Sequence, residues 1–325
     1  MAGQDLSRGV GAMVEETMEF DVDLSELSGK AWLDAVREAG WDFGFHEALG
    51  PAHDAVLIEG NRNLMVAFEV IPRVQEANPG REPRGWRLAR SEGWTSLTLF
   101  SASETWFRNP AVYDFIDRMT DDGFFDSYDN VLFYGAGSGG YAAAAYSVAA
   151  PGAAVVALRP QATLTPDTTR WDRRFLPARR LEFESRYGFA PDMLDAARQA
   201  YVLFDPELTL DDMHAALFRR PNVLRLPCPH LGDELERALE GMHILDDVLR
   251  GAMLGTLDAA GFRSLYRARR RYMPYLRSLL THTQQSGRID LTERVCRWGI
   301  EHTNRPVFRN KLKALENRGD VTAAE

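Results

Sequence analysis

A serine in a glycine-rich turn is the strongest chemical signal in this sequence. Ser138 stands in the segment Val131 to Ala145, VLFYGAGSGGYAAAA, where an apolar run passes through closely spaced glycines into an alanine-rich stretch. This succession predicts a strand, a sharp turn and a helix, with Ser138 at the tip of the turn. Two chemistries use such a turn: attack by a serine hydroxyl held above a sheet edge, and binding of a dinucleotide pyrophosphate at the helix N-terminus.

The dinucleotide hypothesis rests on the spacing of three glycines. Gly135, Gly137 and Gly140 spell G-x-G-x-x-G, a motif that needs an acidic residue about 20 positions later to bind the ribose. The next apolar run, Ala154 to Leu158, is followed by Arg159 instead of a carboxylate. An arginine there suits a 2′-phosphate, so the alternative function is an NADP-binding oxidoreductase of the Rossmann type.

A nucleophilic serine also needs a histidine base and a carboxylate that orients it. Asp205 follows the apolar run Tyr201 to Phe204, and His230 follows the run Asn222 to Leu226, in a short loop before a helical pattern. The chain order serine, acid, histidine, with each later member just after a strand, is the order of the α/β-hydrolase triad. Asp212 is the alternative acid.

The glycine-rich segment resembles the nucleophile elbow of bacterial α/β-hydrolase-like proteins, which reads strand-G-S-S-M-G-G-Y-A-A-L. The matching stretch here is FYGAGSGGYAA, residues 133–143, and the resemblance extends over roughly residues 55–249. It departs at Ala136, where a glycine is expected two positions before the serine. The resemblance implies an α/β fold of three layers with a mostly parallel central sheet, and Ser138 as the nucleophile.

The chemistry implied is cleavage of an ester or related acyl bond. His230 would take the proton of Ser138, and the serine would form an acyl-enzyme that water hydrolyses. One oxyanion donor would be the backbone N–H of Gly139, the residue after the nucleophile. The other would come from Glu69 or Val70, by their position at the end of the early strand.

Each proposed triad member also has a structural interpretation. Ser138 is a good helix N-cap, Asp205 can cap the following turn, and His230 can be a loop histidine without a catalytic task. A third class of function therefore stays open: a non-catalytic hydrolase-like protein that acts in protein assembly.

Composition excludes several other classes. The net charge of −9 argues against nucleic-acid binding. No apolar run has the roughly 20 residues of a membrane span, and no secretory signal is recognisable, so a cytoplasmic location is expected. The two cysteines give no disulfide framework. The seven histidines show no metal-binding spacing, so neither a metal nor a cofactor is expected.

The chain divides into three predicted parts, the second of which contains an insertion. Residues 1–22 are expected to be flexible, 23–250 to form the α/β-hydrolase-like domain, and 251–325 to form a helical C-terminal extension. The extension resembles a degenerate tetratricopeptide-type hairpin and would dock on the domain, on a protein partner or on a second copy. Residues 161–198 are expected to form a cap that selects a small-molecule or carbohydrate-linked acyl substrate through Trp171 and Arg174, or a surface segment whose arginines pair with nearby carboxylates.

Apolar patterns predict individual elements. Lys30 to Ala39 is expected to be a helix that buries Trp32, and Glu236 to Leu249 a single helix packed on the sheet. The runs Ala55 to Glu59 and Leu64 to Val70, joined by a turn-like segment, predict a β-hairpin.

Overall fold

The computed structural model describes residues 20–77 and 80–322. Residues 1–22 were expected to be flexible; residues 1–19 lie outside the described residues, and residues 20–22 are described. Phe20 is buried, and its ring packs edge-on against Phe43 at 5.1 Å and Trp86 at 5.0 Å between ring centroids. Phe20 and Val22 of that segment are therefore part of a hydrophobic core, whereas Asp21 is exposed.

Within the described ranges the chain forms one eight-stranded sheet. The strands are β1 Gly44–Ala48, β2 His53–Ile58, β3 Asn61–Val70, β4 Trp94–Ser101, β5 Asn130–Ala136, β6 Ala154–Leu158, β7 Gln199–Phe204 and β8 Val223–Pro227. Their order across the sheet is β1-β2-β4-β3-β5-β6-β7-β8. β4 to β8 and β3 run parallel, and β1 and β2 form an antiparallel edge.

The prediction of a β-hairpin between the runs Ala55 to Glu59 and Leu64 to Val70 is wrong. Both strands exist, but β4 lies between them and pairs with β2 antiparallel and with β3 parallel. The connecting segment crosses the start of β4: the N–H of Asn61 donates to the carbonyl oxygen of Gly93 at 2.6 Å. A Cβ added at Gly60 would lie 2.5 Å from the same oxygen, so the glycine that suggested a hairpin turn is needed for this crossing.

The helices alternate with the parallel strands and then continue alone. They are α1 Gly29–Phe43, α2 Ile71–Ala77, α3 Arg84–Glu92, α4 Pro110–Asp121, α5 Ser138–Tyr146, α6 Pro166–Thr169, α7 Thr209–Ala215, α8 Leu235–Gly241, α9 Leu245–Met253, α10 Ala259–Leu265, α11 Met273–Gln285, α12 Ile289–Thr303 and α13 Pro306–Thr322. The helix expected over residues 236–249 is two helices, because the chain turns at His243 with φ 57°.

Alternate residues of the strands feed two cores, one on each face of the sheet. On β5, Val131 and Phe133 pack with α4 and α5 on one face, whereas Leu132 and Tyr134 pack with α8 and α9 on the other. Helices α1 and α3 cover the second face at the antiparallel edge, with Trp32 fully buried. The expected three-layer architecture with a mostly parallel sheet is confirmed.

After β8 the described residues form helices and no further strand. Helices α11, α12 and α13 enclose a small core of their own, built from Tyr275, Leu276, Leu280, Cys296 and Phe308. Leu231, in the loop after β8, packs against that core and links it to the sheet. Among the described residues, no helix combines the length and the apolar character needed to cross a membrane.

Candidate functional site

The turn between β5 and α5 is closely packed against the neighbouring strands. Its central residue is Gly137, with φ 59° and ψ −117°, a conformation that residues with a side chain rarely adopt. The N–H of Gly137 donates to the carbonyl oxygen of Leu158 at 2.8 Å, and its carbonyl oxygen accepts from Tyr141 N at 3.0 Å. These two bonds connect the turn to β6 and open helix α5.

The glycines on either side of this residue have no room for a side chain. A Cβ at Gly135 would lie 2.2 Å from the carbonyl oxygen of Gly139, and a Cβ at Gly139 would lie 2.2 Å from the carbonyl oxygen of Phe68. In the G-x-S-x-G elbow, the nucleophile occupies the strained position midway between two such glycines. That midway position is Gly137.

The prediction that Ser138 stands at the tip of the turn is therefore wrong by one residue. Ser138 is the first residue of α5 and is 1 % exposed. Its Oγ is buried and has no hydrogen-bond partner among the described residues. It is not the N-cap either, since that position belongs to Gly137.

A signal for this register was present in the sequence. The five residues Gly139 to Ala143 read G-G-Y-A-A, as in the elbow pattern of the resembling proteins. Counting back from them places Gly137 at the second serine of G-S-S-M and Ser138 at the methionine. The unexpected Ala136 then falls at an unrestricted position, and Gly135 supplies the missing glycine.

The predicted base and acid do not meet each other or the serine. The Nδ1 of His230 lies 2.8 Å from Oε2 of Glu207. Asp205 is buried, and its two carboxylate oxygens accept from the N–H groups of Glu207 at 3.0 Å and Gly232 at 2.7 Å. Asp205 thus ties the loops after β7 and β8 together instead of orienting the imidazole.

The alternative acid and the oxyanion candidates occupy different surroundings. Asp212 is exposed on α7. Glu69 and Val70 are the last residues of β3 and lie beyond Phe68, whose partner on β5 is Gly135. They therefore come directly after the residue whose carbonyl oxygen lies against Gly139.

A polar cleft of about 450 Å³ opens above the turn. Gly137 lies on its floor, and a Cβ there would be 3.4 Å from Nη1 of Arg73. Charged side chains of both signs line it: Arg73, Glu76, Arg159, Asp233, Glu234, Glu236 and Arg237. Neither Ser138 nor His230 is among the described residues that line this cleft.

The NADP hypothesis loses the residue that supported it. The Nε of Arg159 lies 2.8 Å from Oδ2 of the buried Asp211, so the guanidinium is already paired. The sheet order also differs from the 3-2-1-4-5-6 order of the Rossmann fold.

A cluster of buried and half-buried ionisable side chains lies beside the elbow strand. Glu69 and Arg84 border a cavity of about 30 Å³ together with Tyr134 and Glu236. Burial and the neighbouring charge of Glu236 raise the pKa of Glu69 to about 8, against the opposing effects of the Arg84 N–H and guanidinium. The hydroxyl of Tyr134 donates to Glu236, and burial raises its pKa well above the usual value.

The raised pKa of Glu69 predicts a pH-dependent stability. An acid whose pKa is higher in the folded state than in the unfolded state stabilises the fold below the unfolded value, and this stabilisation is lost as pH rises to the folded value. Glu69→Gln should match the wild type near pH 4.5 and exceed its unfolding free energy by roughly 2–4 kcal/mol above pH 8. Urea unfolding of both proteins from pH 4.5 to 9 measures the difference. A difference that does not change with pH would contradict the prediction.

The cap-like segment is held down by ion pairs. Arg174 donates to Asp172 at 2.8 Å and to Asp211 at 2.6 Å, and Asp172 lies 3.0 Å from Nε2 of the buried His214. Burial favours the neutral acid, but hydrogen bonds from His214 and Arg174 hold the pKa of Asp172 well below its usual range. The ring of Trp171 covers His214 at 4.6 Å. Both candidate ligand contacts of the cap are therefore occupied within the protein.

Comparison with known proteins finds solved structures only. No family model and no curated protein matches the sequence. An esterase of Pyrobaculum calidifontis matches with a TM-score of 0.44 and 16 % identity, over 66 % of this chain and 87 % of that chain. MPT51 of Mycobacterium tuberculosis matches with a TM-score of 0.42 and 11 % identity, over 63 % and 95 %. The fluorophosphonate-binding serine hydrolase F of Staphylococcus aureus matches with a TM-score of 0.40 and 10 % identity, over 66 % and 100 %.

The class of the protein follows from its own architecture. A mostly parallel eight-stranded sheet lies between two helical layers, and a glycine-built turn leads from the central strand β5 into a buried helix. The protein is α/β-hydrolase-like in fold.

Proposed function

We propose that this protein is a non-catalytic member of the hydrolase fold, which binds a polar ligand in the cleft above the elbow without acyl transfer. The observation that carries the proposal is the glycine at the elbow tip. Gly137 has the strained backbone of the nucleophile position, with φ 59° and ψ −117°, and no side chain. Gly137 therefore has no side-chain atom that could attack a substrate.

The neighbouring serine is a poor substitute for the missing nucleophile. Ser138 is 1 % exposed, and its Oγ is not hydrogen-bonded to a base among the described residues. A serine hydroxyl is a weak nucleophile until a base within hydrogen-bond reach accepts its proton. The predicted base, His230, is bonded to Glu207 instead.

The cleft keeps features that suit binding. Its walls carry arginines and carboxylates side by side. Guanidinium and carboxylate groups together offer hydrogen-bond donors and acceptors without a strong net charge. A compact polar ligand that bears both charge signs fits such a surface better than an acyl ester.

The test is hydrolysis of an activated ester, p-nitrophenyl acetate, by the wild type and by Ser138→Ala. The two proteins should show the same slow rate, because neither has a serine nucleophile at the elbow tip. In a working serine triad, removal of the serine lowers kcat by about 10⁶-fold. A wild-type rate that collapses in Ser138→Ala would restore the serine-hydrolase hypothesis with Ser138, His230 and Asp205.

Ser138→Ala is a clean variant for this purpose. The hydroxyl it removes has no hydrogen-bond partner among the described residues, and alanine favours the helix that begins there. Urea unfolding of both proteins should give closely similar midpoints, so that a change in rate cannot be assigned to loss of the fold.

A further inference from the structure

Three side chains that are far apart in the sequence meet at the junction between the sheet and the C-terminal helices. Glu207 follows β7, His230 follows β8 and His282 lies in α11. One ligand atom from each, two imidazole nitrogens and a carboxylate oxygen, lies within 4.8 Å of the others. Two histidines and one glutamate at this separation are a donor set for a metal ion.

The individual distances show how closely the groups approach. Oε2 of Glu207 lies 2.8 Å from Nδ1 of His230, and Oε1 of Glu207 lies 3.8 Å from Nδ1 of His282. The two imidazole rings are 4.8 Å apart between centroids. Small side-chain rotations would bring all three donors to about 2.0–2.2 Å from one ion, the range for zinc bound to imidazole and carboxylate.

The backbone around the cluster is held in place. Buried Asp205 accepts N–H bonds from Glu207 and from Gly232, so the loops after β7 and β8 are tied together. His230 has φ 66°, which turns the chain sharply at this point. Leu231 packs on the core of the C-terminal helices. The three donors therefore lie on backbone segments that are fixed to each other, where the loops after β7 and β8 meet the C-terminal helices.

We propose that Glu207, His230 and His282 bind a divalent transition-metal ion, Zn²⁺ in the first instance. Imidazole with one carboxylate suits zinc and its neighbours better than Mg²⁺ or Ca²⁺, which prefer oxygen donors. The ion fixes α11 to the loops after β7 and β8. Because three protein donors leave one tetrahedral position for water, the site is open on its exposed side.

Sequence spacing could not reveal this site. Metal-binding spacings such as H-x-x-H place both donors on one element, and the seven histidines of this chain show no such spacing. His230 and His282 are separated by an entire helical segment and approach only because the C-terminal helices fold back on the loop after β8.

The test is isothermal titration of the full-length, chelator-stripped protein with ZnCl₂. The variants His230→Asn and His282→Gln each remove one donor. The matched control is His243→Asn, because His243 is exposed and has the same left-handed backbone, φ 57°, as His230. A fourth variant, Glu207→Gln, removes the carboxylate charge at an exposed residue, where loss of the fold is not expected.

The proposal predicts one bound Zn²⁺ per chain for the wild type and for His243→Asn. His230→Asn, His282→Gln and Glu207→Gln should each bind at least about 100-fold more weakly, since loss of a residue that only orients a metal ligand already costs 10- to 100-fold. Absence of stoichiometric binding by the wild type, or equal binding by all five proteins, would overturn it. Ester hydrolysis plays no part in this readout, so the result is independent of the proposed function.

Discussion

Gly139→Ala should destabilise the protein by roughly 3 kcal/mol or more, because the new methyl group has nowhere to go. Its Cβ would lie 2.2 Å from the carbonyl oxygen of Phe68, which belongs to the backbone of strand β3. Helix α5 would have to move away from β3, and the turn at Gly137 would move with it. The loss is measured as the free energy of unfolding in urea.

Gly152→Ala is the matched control for this substitution. Gly152 has φ 86°, and a Cβ there has no atom within 4 Å. Alanine at that position should cost only the backbone strain, about 1–2 kcal/mol. If Gly139→Ala were no more destabilising than Gly152→Ala, the close approach of helix and strand at the elbow would be refuted.

Arg84→Met should cost about 3–5 kcal/mol, since it removes one charge from a buried group of opposite charges. Arg84 is 5 % exposed, forms an ion pair with Glu240 and lies 3.5 Å from Asp246. The charge of Glu236 also acts on it. Without the guanidinium, Glu240, whose side chain is 13 % exposed, would lose its buried partner.

The control is Arg87→Met, because Arg87 pairs with the same two carboxylates but lies at the surface. Arg87 lies 4.0 Å from Glu240 and 3.6 Å from Asp246, but its side chain is 41 % exposed. Exposed pairs contribute about 0–1 kcal/mol, so Arg87→Met should shift the urea midpoint only slightly. If the two variants lost similar amounts of unfolding free energy, burial would not determine how much each arginine contributes to stability.

The architecture was largely predictable because parallel strands buried on both faces read as continuous apolar runs. The run Ala154 to Leu158 is strand β6 without any change of bounds. The helix around Trp32 was recognisable from its apolar face. The hairpin prediction failed because pairing between neighbouring runs is a matter of topology, and β4, which comes later in the chain, inserts between β2 and β3.

The site was predicted less well, for a reason that lies in the register of the glycines. Several closely spaced glycines allow the centre of the turn to be placed at more than one residue. Only the backbone contacts decide which residue it is. The clashes at Gly135 and Gly139 and the positive φ of Gly137 select the frame. The positions of His230 and Asp205 after strands were correct, but the direction of the imidazole depends on Glu207 and His282, which no local pattern connects to it.

The central claim is that the elbow carries no reactive serine, and intact-protein mass spectrometry after incubation with a fluorophosphonate probe tests it most directly. The wild type and Ser138→Ala would be treated side by side in the folded state. We predict that both masses stay unchanged, because Gly137 occupies the nucleophile position and Ser138 is buried. A single stoichiometric adduct on the wild type that is absent from Ser138→Ala would contradict the account.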